Sequence, residues 1–149
     1  MKKSIKNKII CRFNSVSSNE ALSRIIITGF IMPFNPTVEE IADIKTAVSE
    51  AVTNCIVHAY KNAEDGIVEL KATYSDDGIL VINIRDFGCG IEDIEKARQP
   101  LFTTDKENER SGMGFSIMES FCDKLKVTSK LGKGTKVTLI KELVKGKNE

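Results

Sequence analysis

The sequence has no apolar stretch long enough to span a bilayer. Its run from Ile25 to Phe34 is well short of the roughly 20 residues a membrane helix needs, and Gly29 and Pro33 interrupt it. The N-terminus lacks the apolar core and small-residue cleavage site of a signal peptide, so a cytoplasmic location is expected. Net charge is nearly absent as well. Lys and Arg number 22 against 21 Asp and Glu, which leaves +1 and no global field to gather nucleic acid or an acidic membrane. Neither is expected as a direct partner. The small basic surplus lies at the ends, in Lys2, Lys3, Lys6, Lys8, Lys141, Lys145 and Lys147, and reads as solvated termini. The four cysteines, Cys11, Cys55, Cys89 and Cys122, include no close pair that would suggest zinc or a redox motif. Three of them read as small buried hydrophobes, whereas Cys89 falls in a glycine-rich loop. Repeats and low-complexity segments are missing. With 149 residues, 41% hydrophobic and 29% charged, one globular domain over 1–149 is expected.

Periodicity supplies the elements. Lys8 to Phe13 suits an edge strand. Ser18 or Asn19 could cap a helix running to about Met32, with Leu22, Ile25, Ile26 and Phe30 along one face. Thr37 followed by Glu40 forms a capping box for a long helix ending near Tyr60. Ile67 to Tyr74 and Ile79 to Arg85 alternate as strands around Asp76-Asp77-Gly78, a strong hairpin signal. A short helix is expected near Ile94 to Arg98, a polar aperiodic segment from Pro100 to Ser111, and a helix from Gly114 to Cys122. Lys124 to Lys130 and Thr135 to Leu143 make a second hairpin across Gly132 to Gly134. The order implies an α+β sandwich, with helices on one face of a mixed, mainly antiparallel sheet.

Two features carry chemistry. On the long helix, Ile41, Val48, Val52, Cys55 and Ala59 share one arc, and Glu50, Asn54 and His58 follow at four-residue steps on an adjoining stripe. A solvated helix face has the same pattern. A Glu and an Asn on one stripe also suit metal-assisted chemistry: the Asn carbonyl is a neutral hard ligand for Mg²⁺, and the Glu can accept a proton. The second feature is three glycine clusters: Asp86-Phe-Gly-Cys-Gly90 after a strand, Ser111-Gly-Met-Gly114 opening a helix, and Gly132-Lys-Gly-Thr135 in a turn. Each could be an ordinary turn. Glycines also let backbone N–H groups approach a phosphate, and a helix start adds its positive end. Asp86-Phe87-Gly88 matches the magnesium motif of eukaryotic-type protein kinases, but the chain is too short for that fold and has no His-Arg-Asp loop. The Gly132 turn lacks Walker spacing.

In this order, Glu50-x-x-x-Asn54, Asp86-x-Gly88-x-Gly90, Gly112-x-Gly114 and Gly132-x-Gly134-Thr135 resemble the GHKL superfamily: gyrase, a heat-shock chaperone, histidine kinases and MutL. Its Bergerat fold agrees with the element order. Longer stretches narrow the match. Ser49 to Tyr60, Ala97 to Thr104 and Glu109 to Glu119 resemble the anti-sigma F factors of endospore-forming bacteria, which are also serine kinases. Histidine kinases fit less well, because the only histidine, His58, lies inside the nucleotide-site helix.

The resemblance implies ATP or ADP with Mg²⁺ as cofactors and a homodimer whose partners are a sigma factor and a serine-phosphorylated anti-anti-sigma protein. Asp86 would bond the adenine amino group, with Thr135 nearby, and Asn54 would ligate Mg²⁺. Gly88, Gly90, Thr103, Thr104, Gly112 and Gly114 would belong to the nucleotide site, with the segment from Pro100 to Ser111 as a lid. Glu50 would be the general base and Arg110 would steady the γ-phosphate. Arg24 matches the position that engages both protein partners. A general-stress anti-sigma kinase, a non-catalytic ATP-gated binding module and a simple ATPase remain alternatives.

Overall fold

Strict alternation builds the sheet. Val68, Leu70, Ala72 and Tyr74 of β2 (Ile67–Ser75) and Leu80, Ile82 and Ile84 of β3 (Ile79–Asp86) fall on one buried face. In this computed structural model, which describes residues 4–99 and 114–144, these strands join β1 (Ile5–Asn14), β4 (Lys124–Lys130) and β5 (Gly134–Glu142). The order is β1-β2-β3-β5-β4 and every neighbouring pair is antiparallel. The expected α+β sandwich is present, but among the described residues the sheet contains no parallel pair. At the β2–β3 turn Gly78 adopts φ +86° and donates to the Ser75 carbonyl at 3.0 Å, while Ser75 Oγ donates to Asp77.

One of the end lysines is not solvated as expected: Lys141 Nζ donates to the Phe121 carbonyl at 3.0 Å and lies 3.6 Å from Asp43. Other cations share the outer face of the sheet. Arg85, Lys124, Lys126 and Lys136 stand exposed there, beside the Arg12–Glu69 ion pair of 2.8 Å.

Helix α1 (Ser18–Ile31) has the expected span with a different phase. Ser23, Ile27, Phe30 and Ile31 are buried, whereas Leu22 and Ile25 are 42% and 69% exposed. Ile27, Phe30 and Ile31 stand at i, i+3 and i+4, an apolar stripe of their own, and the consecutive Ile25, Ile26 and Ile27 make more than one phase available to the helix. Nor do Ser18 and Asn19 cap it. Ser17 holds the cap position without a side-chain bond, and Asn19 Nδ2 donates back to the Asn14 carbonyl.

The capping box at the start of α2 (Val38–Asn54) forms as expected: Glu40 N–H donates to Thr37 Oγ1 at 3.0 Å, and Thr37 N–H donates to Glu40 Oε1 at 2.9 Å. Glu40 is buried, and its second oxygen accepts the Val144 N–H at 2.9 Å, which ties the chain beyond β5 to the helix start. Glu40→Ala strands both donors and should destabilise the protein by about 2 kcal/mol. Urea unfolding should show a lower midpoint with an unchanged slope. Glu40→Gln should recover part of the loss, because one amide oxygen can still serve Thr37.

Regular α geometry stops at Asn54, earlier than expected. Cys55–Ala59 forms a π-helical turn, in which Tyr60 N–H reaches the Cys55 carbonyl at 3.0 Å, and positive φ at Lys61 and Asn62 ends the run. Val48, Val52 and Cys55 are buried as expected, joined by Ile44, Ala47 and Ala51, while Ile41 and Ala59 lie at the margin. Helix α2 packs between α1 and α4 (Gly114–Phe121) over the sheet. After the 3-10 turn Met32–Phe34, the Phe34 ring stacks on Tyr74 at 3.8 Å and meets Phe30 edge-on.

Candidate nucleotide site

A cleft of about 990 Å³ opens between the end of α2, the loop after β3, α3 (Ile94–Ala97), the start of α4 and the β4–β5 hairpin. Its lining includes Asn54, Asp86, Gly90, Gly114 and Thr135. The structure therefore gathers residues 81 positions apart in sequence (54 to 135) around one space. Thr103, Thr104, Arg110 and Gly112 lie outside the described residues.

Asp86 ends β3 and is 5% exposed. Its Oδ1 accepts the Gly88 N–H at 3.0 Å and the Thr135 N–H at 3.2 Å. Burial pushes its carboxyl above the ordinary value, opposed by the Gly88 N–H, the Cys55 thiol and the Thr135 N–H. Thr135 lies 2.7 Å, hydroxyl to hydroxyl, from Ser129, which also accepts the Ile91 N–H. The result is a buried carboxylate held by the chain on one oxygen, at the wall of a cleft, with a Thr hydroxyl beside it. Such an arrangement suits a planar heterocycle that offers an amino group.

At the start of α4 lies a second polar centre. A Cβ added at Gly114 would fall 3.2 Å from Asn54 Oδ1 and 3.4 Å from Glu50 Oε2, so the missing side chain lets the helix start approach this pair. Glu50 and Asn54 thus face the same element, as their four-residue spacing suggested. Among the described residues no group of three His, Cys, Asp or Glu side chains could cage a metal. A Mg²⁺ here would instead use the Asn54 carbonyl, phosphate oxygens and water, which suits its preference for few protein ligands.

Two of the other glycines are packed tightly against neighbouring backbone. Gly88 lies against the Ala59 backbone, where a Cβ would fall 2.5 Å from the carbonyl oxygen. Gly90, at φ +78°, meets the Lys130 carbonyl just as closely. The N–H groups of Phe87, Gly88 and Cys89 are bonded to Tyr60 Oη, Asp86 and the Ala59 carbonyl. These glycines let three chain segments touch, and that contact shapes the wall around Asp86.

Arg24 is not among the cleft residues. It lies on α1, 2.7 Å from Glu20 without hydrogen-bond alignment, and Glu20 in turn accepts the Ser49 hydroxyl of α2. Tyr60 and Ser129 were not singled out by the sequence, and Cys55, expected only as a buried hydrophobe, also bonds Asp86 through its thiol. Only the motif context could have raised Tyr60, because its partners are backbone groups that no side-chain pattern records.

A sequence profile of the histidine kinase-like ATPase domain matches residues 18–141. The chain is similar to the anti-sigma F factor of Geobacillus kaustophilus, 48% identical over 143 residues, which covers 96% of this chain and 97% of that protein. The anti-sigma F factor of Caldanaerobacter subterraneus subsp. tengcongensis is 53% identical over 135 residues, covering 91% and 93%. Among solved structures, the histidine kinase domain of the Erythrobacter litoralis blue-light activated kinase superposes with TM-score 0.55 at 28% identity, covering 74% of this chain and 48% of that one. The RsbU and RsbW domains of a Mycobacterium tuberculosis protein give TM-score 0.68 at 17% identity, a likeness of fold. There the match covers 93% of this chain and 33% of the larger one.

Proposed function

We propose that this chain, which belongs to the histidine kinase-like ATPase family and to its anti-sigma F factors, binds a sigma factor of the sigma F type and withholds it from RNA polymerase. It further uses ATP to phosphorylate a serine on an anti-anti-sigma antagonist, which that modification inactivates. The observation that carries the catalytic part is one cleft with a buried carboxylate, Asp86, in its wall and Asn54 in its lining at the start of α4, where Glu50, not itself a lining residue, approaches Gly114 beside Asn54.

In this reading Asp86 accepts from the adenine amino group and Thr135 flanks it. Asn54 holds Mg²⁺, and the N-terminal end of α4 at Gly114 favours the phosphates. Bound ATP supplies the transferable γ-phosphoryl group. Glu50 takes the proton of the incoming serine hydroxyl, and Arg110, Thr103, Thr104 and Gly112 complete the phosphate side. The chain acts as a single domain and as a cytoplasmic homodimer, a state supported by exposed Ile5 and Ile10 on the edge strand β1 and Leu22 and Ile25 on α1. No helix among the described residues is long and apolar enough to cross a membrane.

A pull-down with ATP and Mg²⁺, followed by mass spectrometry of partners and phosphosites, tests the whole reading. Recovery of a sigma factor and a serine-phosphorylated antagonist is expected; a captured sigma factor with no phosphorylated protein would leave only an ATP-gated binding module. Arg24 separates binding from chemistry. Arg24→Ala should weaken capture of either protein by about thirtyfold, as loss of an interface arginine worth roughly 2 kcal/mol implies, while ATP affinity is unchanged. Both affinities are measured on one preparation. Lost ATP binding with partner capture intact would move the docking surface away from α1.

A further inference from the structure

Tyr60 closes the π-helical turn, and its hydroxyl is shared between two backbone groups. It accepts the Phe87 N–H at 2.7 Å and donates to the Ile67 carbonyl at 2.5 Å. Ile67 opens β2, and Phe87 directly follows Asp86, which the β2–β3 ladder pairs with Val68. The hydroxyl therefore ties the chain at the point where Asp86 leaves the sheet.

The ring cannot easily move. Gly66 lies flat against it, so close that a Cβ there would fall 2.6 Å from ring carbons. The π-turn aims it: pairing Tyr60 N–H with Cys55 rather than Ile56 inserts one extra residue, and an α-helical turn would rotate the side chain by about 100°. The same turn grips the loop a second time, because Ala59 accepts the Cys89 N–H at 3.3 Å. Burial raises the Tyr60 phenol, with Asp86 and Cys55 as the ionisable neighbours that add to the rise, so the hydroxyl stays protonated and keeps donating to Ile67. Tyr60 itself does not line the cleft.

We infer that Tyr60 is a positioning residue for the base pocket, fixing through its hydroxyl the backbone after Asp86 so that the carboxylate faces the nucleotide. The inference rests on the reading of Asp86 as the adenine acceptor. A residue that acts through Asp86 alone affects nucleotide affinity and leaves the phosphoryl-transfer end, at Glu50 and Asn54, untouched.

Tyr60→Phe removes one oxygen and keeps the ring. ADP should bind about tenfold more weakly, since the Phe87 N–H loses its partner, while single-turnover transfer at saturating ATP stays within about twofold of the parent. Exchange of the Phe87 amide with solvent, followed by NMR in the ligand-free protein, should accelerate selectively. Ser75→Ala, which removes the hydroxyl bonded to Asp77 in the β2–β3 turn, serves as a control for general weakening and should leave ADP affinity unmoved. Unchanged ADP affinity, unchanged Phe87 exchange, or a transfer rate that falls at saturating ATP would each overturn the inference. Asp86→Asn is measured alongside. If it leaves ADP affinity intact, the base-pocket reading itself fails; if it weakens ADP while Tyr60→Phe does not, only the role of Tyr60 fails.

Discussion

With Glu50 replaced by glutamine, transfer of phosphate to a serine acceptor is expected to fall by about 10²–10⁴-fold, with ATP still bound. Glu50 and Asn54 stand one helical turn apart on α2, and both approach the position a side chain would occupy at Gly114. Glutamine keeps the volume and one carbonyl oxygen of glutamate, so neighbouring packing and the Asn54 amide should persist. What it cannot do is take a proton from a hydroxyl as the oxygen attacks phosphorus. The effect should therefore appear in the single-turnover rate at saturating ATP and not in nucleotide affinity. Transfer at the parent rate would remove Glu50 from the chemistry. A fall in ATP affinity of the same size would instead place the carboxylate among the groups that hold Mg²⁺ or phosphate.

Local pattern made much of this architecture legible. The hairpin at Asp76-Asp77-Gly78 has both its flanking alternation and its turn residues in sequence, and the Thr37–Glu40 box depends on two side chains three residues apart. The Glu50–Asn54 stripe was legible for the same reason, because a helix converts spacing into direction. Features set by distant contacts were hidden. The phase of α1 was ambiguous, since Ile25, Ile26 and Ile27 extend its apolar surface over neighbouring arcs and only packing shows that Ile27, Phe30 and Ile31 face inward. The π-turn at Cys55–Ala59 has no glycine or proline to announce it and exists where Tyr60 finds Phe87 and Ile67. Glycine clusters stood out in sequence, but Gly88 and Gly90 are small because other backbones touch them, a reason visible only in three dimensions. The proposed lid and its Thr103, Thr104 and Arg110 are outside the described residues, so the phosphate side rests on Glu50, Asn54 and Gly114.

Asp86→Asn should weaken ADP binding by roughly tenfold to a hundredfold and yet leave the ligand-free protein at least as stable at neutral pH. The two effects come from one carboxylate. Its burial raises the folded-state value above that of an exposed aspartate near ~3.9, so the folded protein favours the protonated form. The stability linked to that proton is fully present below the unfolded value and is lost as pH rises through the folded one. At neutral pH the ionised group therefore opposes folding. Asparagine is never charged, and its Oδ1 can still accept the Gly88 and Thr135 N–H groups. Relative to the parent, the variant should gain stability as pH rises above about 4 and show no advantage below it. Nucleotide affinity moves the other way, because the amide places a donor where the adenine amino group also donates. Calorimetry with ADP and GDP, together with urea unfolding across that pH range, measures both. Unchanged ADP affinity would remove Asp86 from the base pocket. A variant less stable than its parent at neutral pH would mean that the ionised carboxylate serves the fold, with the charge-assisted bonds from Gly88 and Thr135 outweighing its desolvation.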